Sequence, residues 1–170
     1  MKTTISNEQL TSAISAVRDR NPLIHNITNY VVMNNSANAL LAIGASPVMA
    51  HWKDEMEEMT SIAGALVINI GTLDDQWIEG MIIAGMAASR RGTPIVLDPV
   101  GAGATSQRTA TALKIINLCH PTIIRGNASE IMALVNAEIK SKGVDSIDSS
   151  NDALDAAKKK EKNSGAVVVI

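Results

Sequence analysis

Phenylalanine is absent from this chain, and aromatic residues make up only 2% of it, as two Trp and one Tyr. Any core must therefore be aliphatic, drawn from Ala, Ile, Leu, Val and eight Met, as is common where helices pack on a parallel sheet. Cysteine occurs once, at Cys119, which excludes an internal disulfide and fits a reducing compartment. No apolar run is long enough to span a bilayer, and Met1-Lys2-Thr3-Thr4-Ile5-Ser6 lacks the apolar stretch of a secretion signal. The formal net charge of −2 offers no attraction to nucleic acid or to an anionic membrane. His25, His51 and His120 are scattered, with no helical pair and no accompanying Cys cluster, so a zinc site is not expected. Walker A, complete G-x-G-x-x-G and G-x-S-x-G sequences are all missing. These absences leave a cytosolic protein of a single domain, residues 1–170, with neither nucleic acid nor membrane as partner.

What is present is an alternation of helical and strand signals. Ser6-Asn7-Glu8-Gln9 has the spacing of a capping box and predicts a helix ending near Asn21-Pro22. Pro22 to Thr28 reads as a strand, Asn29 as the cap of a helix stopped by Gly44, and Ser46 to Ala50 as a second strand. Asp54 to Gly64 is predicted helical and Ala65 to Ile70 a buried strand, after which Asp74 caps a long helix ending at Gly92. The strand Pro94 to Asp98, a helix from about Ser106 to Leu118, the strand Thr122 to Arg125 and a helix starting at Asn127 follow. A polar stretch from Ala137 to Asn151 leads into a charged helix and the strand Ala166 to Ile170. Strands that are apolar throughout, each separated by a helix, imply a parallel sheet covered on both faces, with functional loops at the strands' C-terminal ends. The lysine-rich run Lys158 to Lys162 reads as a solvated helix face.

Polar or glycine residues stand just after strands at Asn26 to Asn29, Asn69 to Thr72, Asp98 to Thr105 and Arg125 to Glu130. Asp98 ends an apolar strand, Gly101 and Gly103 let backbone amides approach an anion, and the helix start at Thr105-Ser106 adds a positive dipole end. The same residues serve a plain strand-to-helix turn, and spacing alone does not decide between the two. Arg125 is suited to phosphate and Glu130 to Mg²⁺, although Asn127-x-x-Glu130 is also a capping-box spacing. Two carboxylates, a glycine loop and an Arg on one edge are what Mg-nucleotide phosphoryl transfer needs. Asn29 and Met49 read singly as a cap and a core filler, and together as a small pocket with a soft apolar wall and one amide. Cys119 reads as a buried small residue rather than a nucleophile.

The segments Pro22 to Asn29, Gly44 to His51, Leu66 to Leu73, Leu97 to Thr105 and Ile124 to Glu130 together resemble the hydroxyethylthiazole kinase family, in its order and at its spacing. The likeness runs to about Ile131 and is looser from Ala137 to Gly165. It implies a ribokinase-like three-layer α/β/α fold with a mostly parallel sheet, and a homotrimer with active sites between subunits. It implies MgATP-dependent phosphorylation of the hydroxyl of 4-methyl-5-(2-hydroxyethyl)thiazole, in thiamine biosynthesis or salvage. By the same resemblance, Asn29, Met49 and Gly71 fall at the thiazole, Arg125, Gly101 and Gly103 at ATP, and Asp98 and Glu130 around Mg²⁺. Family members continue beyond this point into a nucleotide-contacting Ser or Thr and a Gly-x-Gly-Cys helix start. This sequence has no such motif and Cys119 does not match it, so no catalytic residue is identified here. The C-terminal part of the fold is expected to be missing and turnover by these residues alone to be poor. The rivals are another ribokinase-like kinase, of a pyrimidine or pyridoxal alcohol, and a non-catalytic thiazole-binding or oligomerisation module.

Overall fold

Local signals start and stop most elements as the sequence reading predicts. In the computed structural model, which describes residues 5–141 and 153–170, helix α1 (Asn7–Arg20) opens on Ser6, whose side chain and that of Gln9 cap each other's backbone amides. Asn21 closes it in a left-handed conformation. Strand β1 (Leu23–Ile27), helix α2 (Met33–Ile43) and strand β2 (Ser46–Val48) follow, then a short 3-10 turn (Lys53–Glu55), helix α3 (Met56–Ile62) and strand β3 (Ala65–Asn69). Asp74 caps α4 (Asp75–Arg91) and Gly92 ends it, leading to β4 (Ile95–Asp98). Thr105 caps α5 (Ser106–Cys119), and β5 (Ile123–Arg125), α6 (Ala128–Ser141), α7 (Ala153–Ser164) and β6 (Val167–Val169) complete the chain.

Some boundaries differ from expectation. α2 starts at Met33 rather than directly after Asn29, whose amide oxygen accepts from the Val31 and Val32 amides in the turn that precedes the helix. The segment predicted helical from Asp54 divides into the 3-10 turn and α3. α6 runs through Ala137 to Ser141, and the remainder of the expected polar stretch, 142–151, lies outside the described residues.

All six strands are parallel, in the order β2-β1-β3-β4-β5-β6. The chain winds one way from β1 to β2 and the other way from β3 onward, so the C-terminal ends of β1 and β3 flank a topological switch point, where open α/β sheets bind ligands. α3 to α7 pack side by side along one face, and α1 lies on α2, which a right-handed crossover places on the other. The core sits under the α3–α7 layer, where Leu66, Ile68, Ile95, Leu97 and Ile124 meet Met81, Ile115 and Ile131. Each such buried aliphatic side chain stabilises the fold by roughly 1.5–3 kcal/mol. The alternate row in register, Val67, Val96, Ile123 and Val167, is half-buried to exposed. α4 and α5 approach closely at Gly85, where a Cβ would stand 2.4 Å from Cys119 Sγ. Among the described residues no helix is long and apolar enough to cross a membrane.

Candidate functional site

The strand ends place a row of polar side chains along the C-terminal edge of the sheet. Asn29 follows β1, Asn69 ends β3, Asp98 ends β4 and Arg125 ends β5. Asn29 Nδ2 donates to Asn69 Oδ1 at 2.8 Å, and Asn69 Nδ2 donates to Asp98 Oδ2 at 3.1 Å. Arg125 Nη2 donates to the same Asp98 oxygen. Backbone donors fix how both amides face: Asn69 Oδ1 also accepts from the Gly71 amide, and Asn29 Oδ1 from those of Val31 and Val32. The row has no room for a side chain at Gly71, where a Cβ would lie 2.6 Å from Asn29 Nδ2.

Asp98 is the electrostatic centre of this edge. Its side chain is 13% exposed, and burial pushes its pKa above the ordinary carboxylate value. Arg125 and the Asn69 amide oppose that shift, and the nearby Glu130 charge adds to it. Oδ2 carries both hydrogen bonds, so Oδ1 has no partner among the described residues. Beside it the Arg125 side chain is 62% exposed. A carboxylate with an uncommitted oxygen and an open guanidinium form a pair able to meet a hard cation and an anionic group together.

The glycine loop behind Asp98 is braced from within, which corrects the expectation that its amides face an anion. The Gly101 amide donates to Glu130 Oε1 at 2.8 Å and the Gly103 amide to Thr109 Oγ1 at 2.8 Å. The Ala102 and Ala104 amides bond the Pro99 and Gly101 carbonyls. Both glycines adopt positive φ, 76° and 93°, which a turn this tight requires. Gly103 abuts α6, since a Cβ there would stand 2.8 Å from that of Ala133.

Glu130 forms the capping box read from the sequence, its Oε2 accepting from the Asn127 amide while Asn127 Oδ1 accepts from the Glu130 amide. Its other oxygen holds Gly101, so this buried carboxylate joins the β5–α6 turn to the glycine loop. Two contributors were not singled out by sequence reasoning. Asn69 is the middle of the row, and Arg108 bonds the Ile70, Gly71 and Val100 carbonyls. Asn69 at a strand's C-terminal end carried the only available signal, while Arg108 reads as an ordinary helix arginine.

Met49 lies just past β2, at the outer end of the edge, and its carbonyl accepts from His51 Nδ1. His25, fully buried in β1, ties the same segment down: Nε2 donates to the Ala50 carbonyl at 3.0 Å and Nδ1 accepts from the Thr60 hydroxyl at 3.2 Å. Burial holds its pKa below the usual value. The few aromatic side chains gather at this corner, with the Tyr30 and His51 rings each 4.8 Å from that of Trp77. A cleft of about 270 Å³ is lined there by His51, Trp52, Lys53, Gln76 and Trp77. A larger one of about 420 Å³ opens between α5 and α6, lined by Gly103, Thr105, Thr109, Leu113, Ala133 and Asn136, with neither Asp98 nor Arg125 in its wall. Cys119 is buried beneath α4 with its thiol pushed up to about 11, as befits a packing residue.

Comparison with known proteins agrees with this architecture. The hydroxyethylthiazole kinase family model matches residues 14–170. A hydroxyethylthiazole kinase of Vibrio parahaemolyticus is 61% identical over 163 residues, covering 96% of this chain and 62% of the relative. One of Syntrophus aciditrophicus is 55% identical over 167 residues, covering 98% of this chain and 62% of the relative. The solved structure of a hydroxyethylthiazole kinase protein from Pyrococcus horikoshii superposes with a TM-score of 0.85 at 45% identity, covering 96% of this chain and 61% of that one. The chain thus spans about three fifths of the length of the curated relatives it matches.

Proposed function

The chain belongs to the hydroxyethylthiazole kinase family, and from that premise we propose that its polar edge is one wall of a site for ATP- and Mg²⁺-dependent phosphorylation of 4-methyl-5-(2-hydroxyethyl)thiazole. That reaction belongs to thiamine biosynthesis or salvage in the cytoplasm. The observation that carries the reading is the row Asn29–Asn69–Asp98–Arg125, drawn from four strands at the switch point of a parallel sheet.

In this reading Arg125 meets the phosphates of ATP, and Gly101 and Gly103 keep the loop beside them thin. The donor set fits Mg²⁺, a hard cation that takes one or two carboxylates together with substrate phosphates. Asp98 offers its uncommitted Oδ1, and Glu130, whose two oxygens already accept backbone amides, acts through water. The ion would neutralise charge on the phosphates. Asn29, held by Asn69, and Gly71 border the thiazole at the β1 end of the row, with Met49, just past the neighbouring β2, as its apolar wall. No residue here is assigned to the reacting hydroxyl, and turnover by these residues alone is expected to be very poor.

The proposed assembly is a homotrimer with sites between subunits. Its support is the exposure of Tyr30, Val31 and Trp52, at 61%, 82% and 63%, beside the Asn29 and Met49 segments. Calorimetric titration tests the reading: the chain should bind the thiazole alcohol, and ATP only when Mg²⁺ is present. Thiazole binding without Mg-dependent ATP binding would reduce it to a binding module, and displacement of thiazole by pyridoxal would point to a different alcohol.

A further inference from the structure

We propose that Arg108 is a positioning residue that makes the loops after β3 and β4 a single wall of the cleft by fixing the Val100–Gly101 peptide. Its Nη1 donates to the Ile70 carbonyl at 2.8 Å and the Val100 carbonyl at 2.9 Å, and its Nη2 to the Gly71 carbonyl at 2.8 Å. One planar fork therefore spans two loops that otherwise share a backbone bond from the Ile70 amide to the Asp98 carbonyl. The far side of the same peptide is held too, since the Gly101 amide donates to Glu130. A cation sits on the peptide's oxygen and an anion on its nitrogen, and the charge-assisted bonds make the loop stiff.

Gly101 supplies the space for this arrangement. A Cβ there would stand 3.0 Å from Arg108 Cδ and 3.4 Å from Nε, so the arginine stem passes where a side chain would be. Among the described residues Arg108 has no carboxylate within ion-pair distance, and its guanidinium bonds backbone carbonyls alone. The group is therefore committed to backbone placement, with Asp98 at the start of one loop and Gly71 in the other. Its consequence for nucleotide rests on the proposed MgATP reading, whereas the clamp itself does not.

Lysine keeps the charge and loses the fork, so Arg108→Lys and Arg108→Met separate positioning from bulk electrostatics. In the 170-residue chain, hydrogen exchange read by mass spectrometry should rise about tenfold or more, in both variants, in peptides covering 69–73 and 99–105. Glu130→Gln should raise it in the second peptide only. Unchanged exchange across α4 shows that each variant is folded. Calorimetry should show MgATP affinity falling about tenfold in both arginine variants. An Arg108→Lys chain that exchanges like wild type would overturn the clamp, and one with loosened loops but wild-type MgATP affinity would overturn its positioning role. A wild-type chain that takes up no MgATP counts against the proposed function, and the exchange pattern then decides the clamp by itself.

Discussion

The two ends of the polar edge are built differently. At the β4–β5 end, Asp98, Arg125, Glu130 and Arg108 are tied to one another or to the loops by short hydrogen bonds, and the amides from Gly101 to Ala104 are all engaged. At the β1–β2 end the frame is apolar: Trp77 packs against Tyr30 and His51, while Val31 and Trp52 face solvent. The contrast follows from what each end must stabilise. Charges are useful only when held in place in a poorly solvated setting, so the charged end is rigid before any ligand arrives. An apolar end gains its stability from being covered.

The largest expected effect comes from breaking the charged end at its centre. Asp98→Asn should lower MgATP affinity about 100-fold, the upper range for losing a group around a metal. It should not destabilise the fold. Burial raises the Asp98 pKa, so the stability linked to it is full below the ordinary carboxylate pKa and is lost as pH rises through the raised value. At neutral pH its charge therefore costs stability that Asn does not. The melting temperature should hold level or rise by roughly 1–3 °C, and a clear fall would show that the ion pair with Arg125 outweighs the burial.

Gly71 joins the two ends. Gly71→Ala drives a methyl into Asn29, with contacts of 2.6 to 2.9 Å, so the amide must move and the row must open. Overpacking of this kind costs about 1–3 kcal/mol, which should lower the melting temperature by about 2–12 °C. Thiazole affinity should fall about tenfold in the same variant, since roughly 1.4 kcal/mol is a factor of ten. Loss of stability without loss of thiazole binding would separate Asn29 from the pocket.

A smaller effect tests how the apolar end is anchored. His25 is neutral and buried, and its bond to the Ala50 carbonyl next to Met49 and the Glu55 charge, which both favour the protonated ring, are outweighed by burial. Its folded pKa is lowered, so its stabilising contribution is complete above about pH 6.5. That contribution declines as pH falls toward the folded value. Melting followed from pH 7 to 5 should show the decline, with a slope of at most about 1.4 kcal/mol per pH unit from this group. His25→Gln, which keeps a donor for Ala50, should flatten it, and an unchanged slope would place the acid sensitivity elsewhere.

Most of the architecture was legible because its signals are local. Apolar runs mark β3 and β4, and Ser6, Asp74, Thr105 and Asn127 each cap a helix with their own side chains. The site was legible where a strand end carried a charged residue, as at Asp98 and Arg125. It was not legible where function depends on which backbone groups remain free. Gly101 and Gly103 read as amide donors, and only the fold shows those amides taken by Glu130 and Thr109. Arg108 sits in the first turn of α5, and nothing near it in sequence reveals carbonyls at Ile70 and Gly71. Asn29 was read as a helix cap from its type, whereas its oxygen serves a turn and its nitrogen serves Asn69.

The smallest effect on stability should come from the most exposed part of the apolar end, and there the comparison between the two ends becomes sharpest. Trp52 is 63% exposed, so replacing it by Ser removes little that the isolated fold uses. Unfolding of Trp52→Ser at low protein concentration should lie within about 0.5 kcal/mol of wild type. Assembly should respond in the opposite sense if this corner is the contact of the proposed trimer. Sedimentation at higher concentration would then shift from trimer toward monomer in Trp52→Ser, while Arg125→Ser, at the charged end, would leave the distribution unchanged. Equal sedimentation of wild type and Trp52→Ser would remove Trp52 from the contact. A large stability loss in dilute Trp52→Ser would instead make the indole part of the fold's own support, and the apolar end would no longer differ from the charged one in being built to be covered.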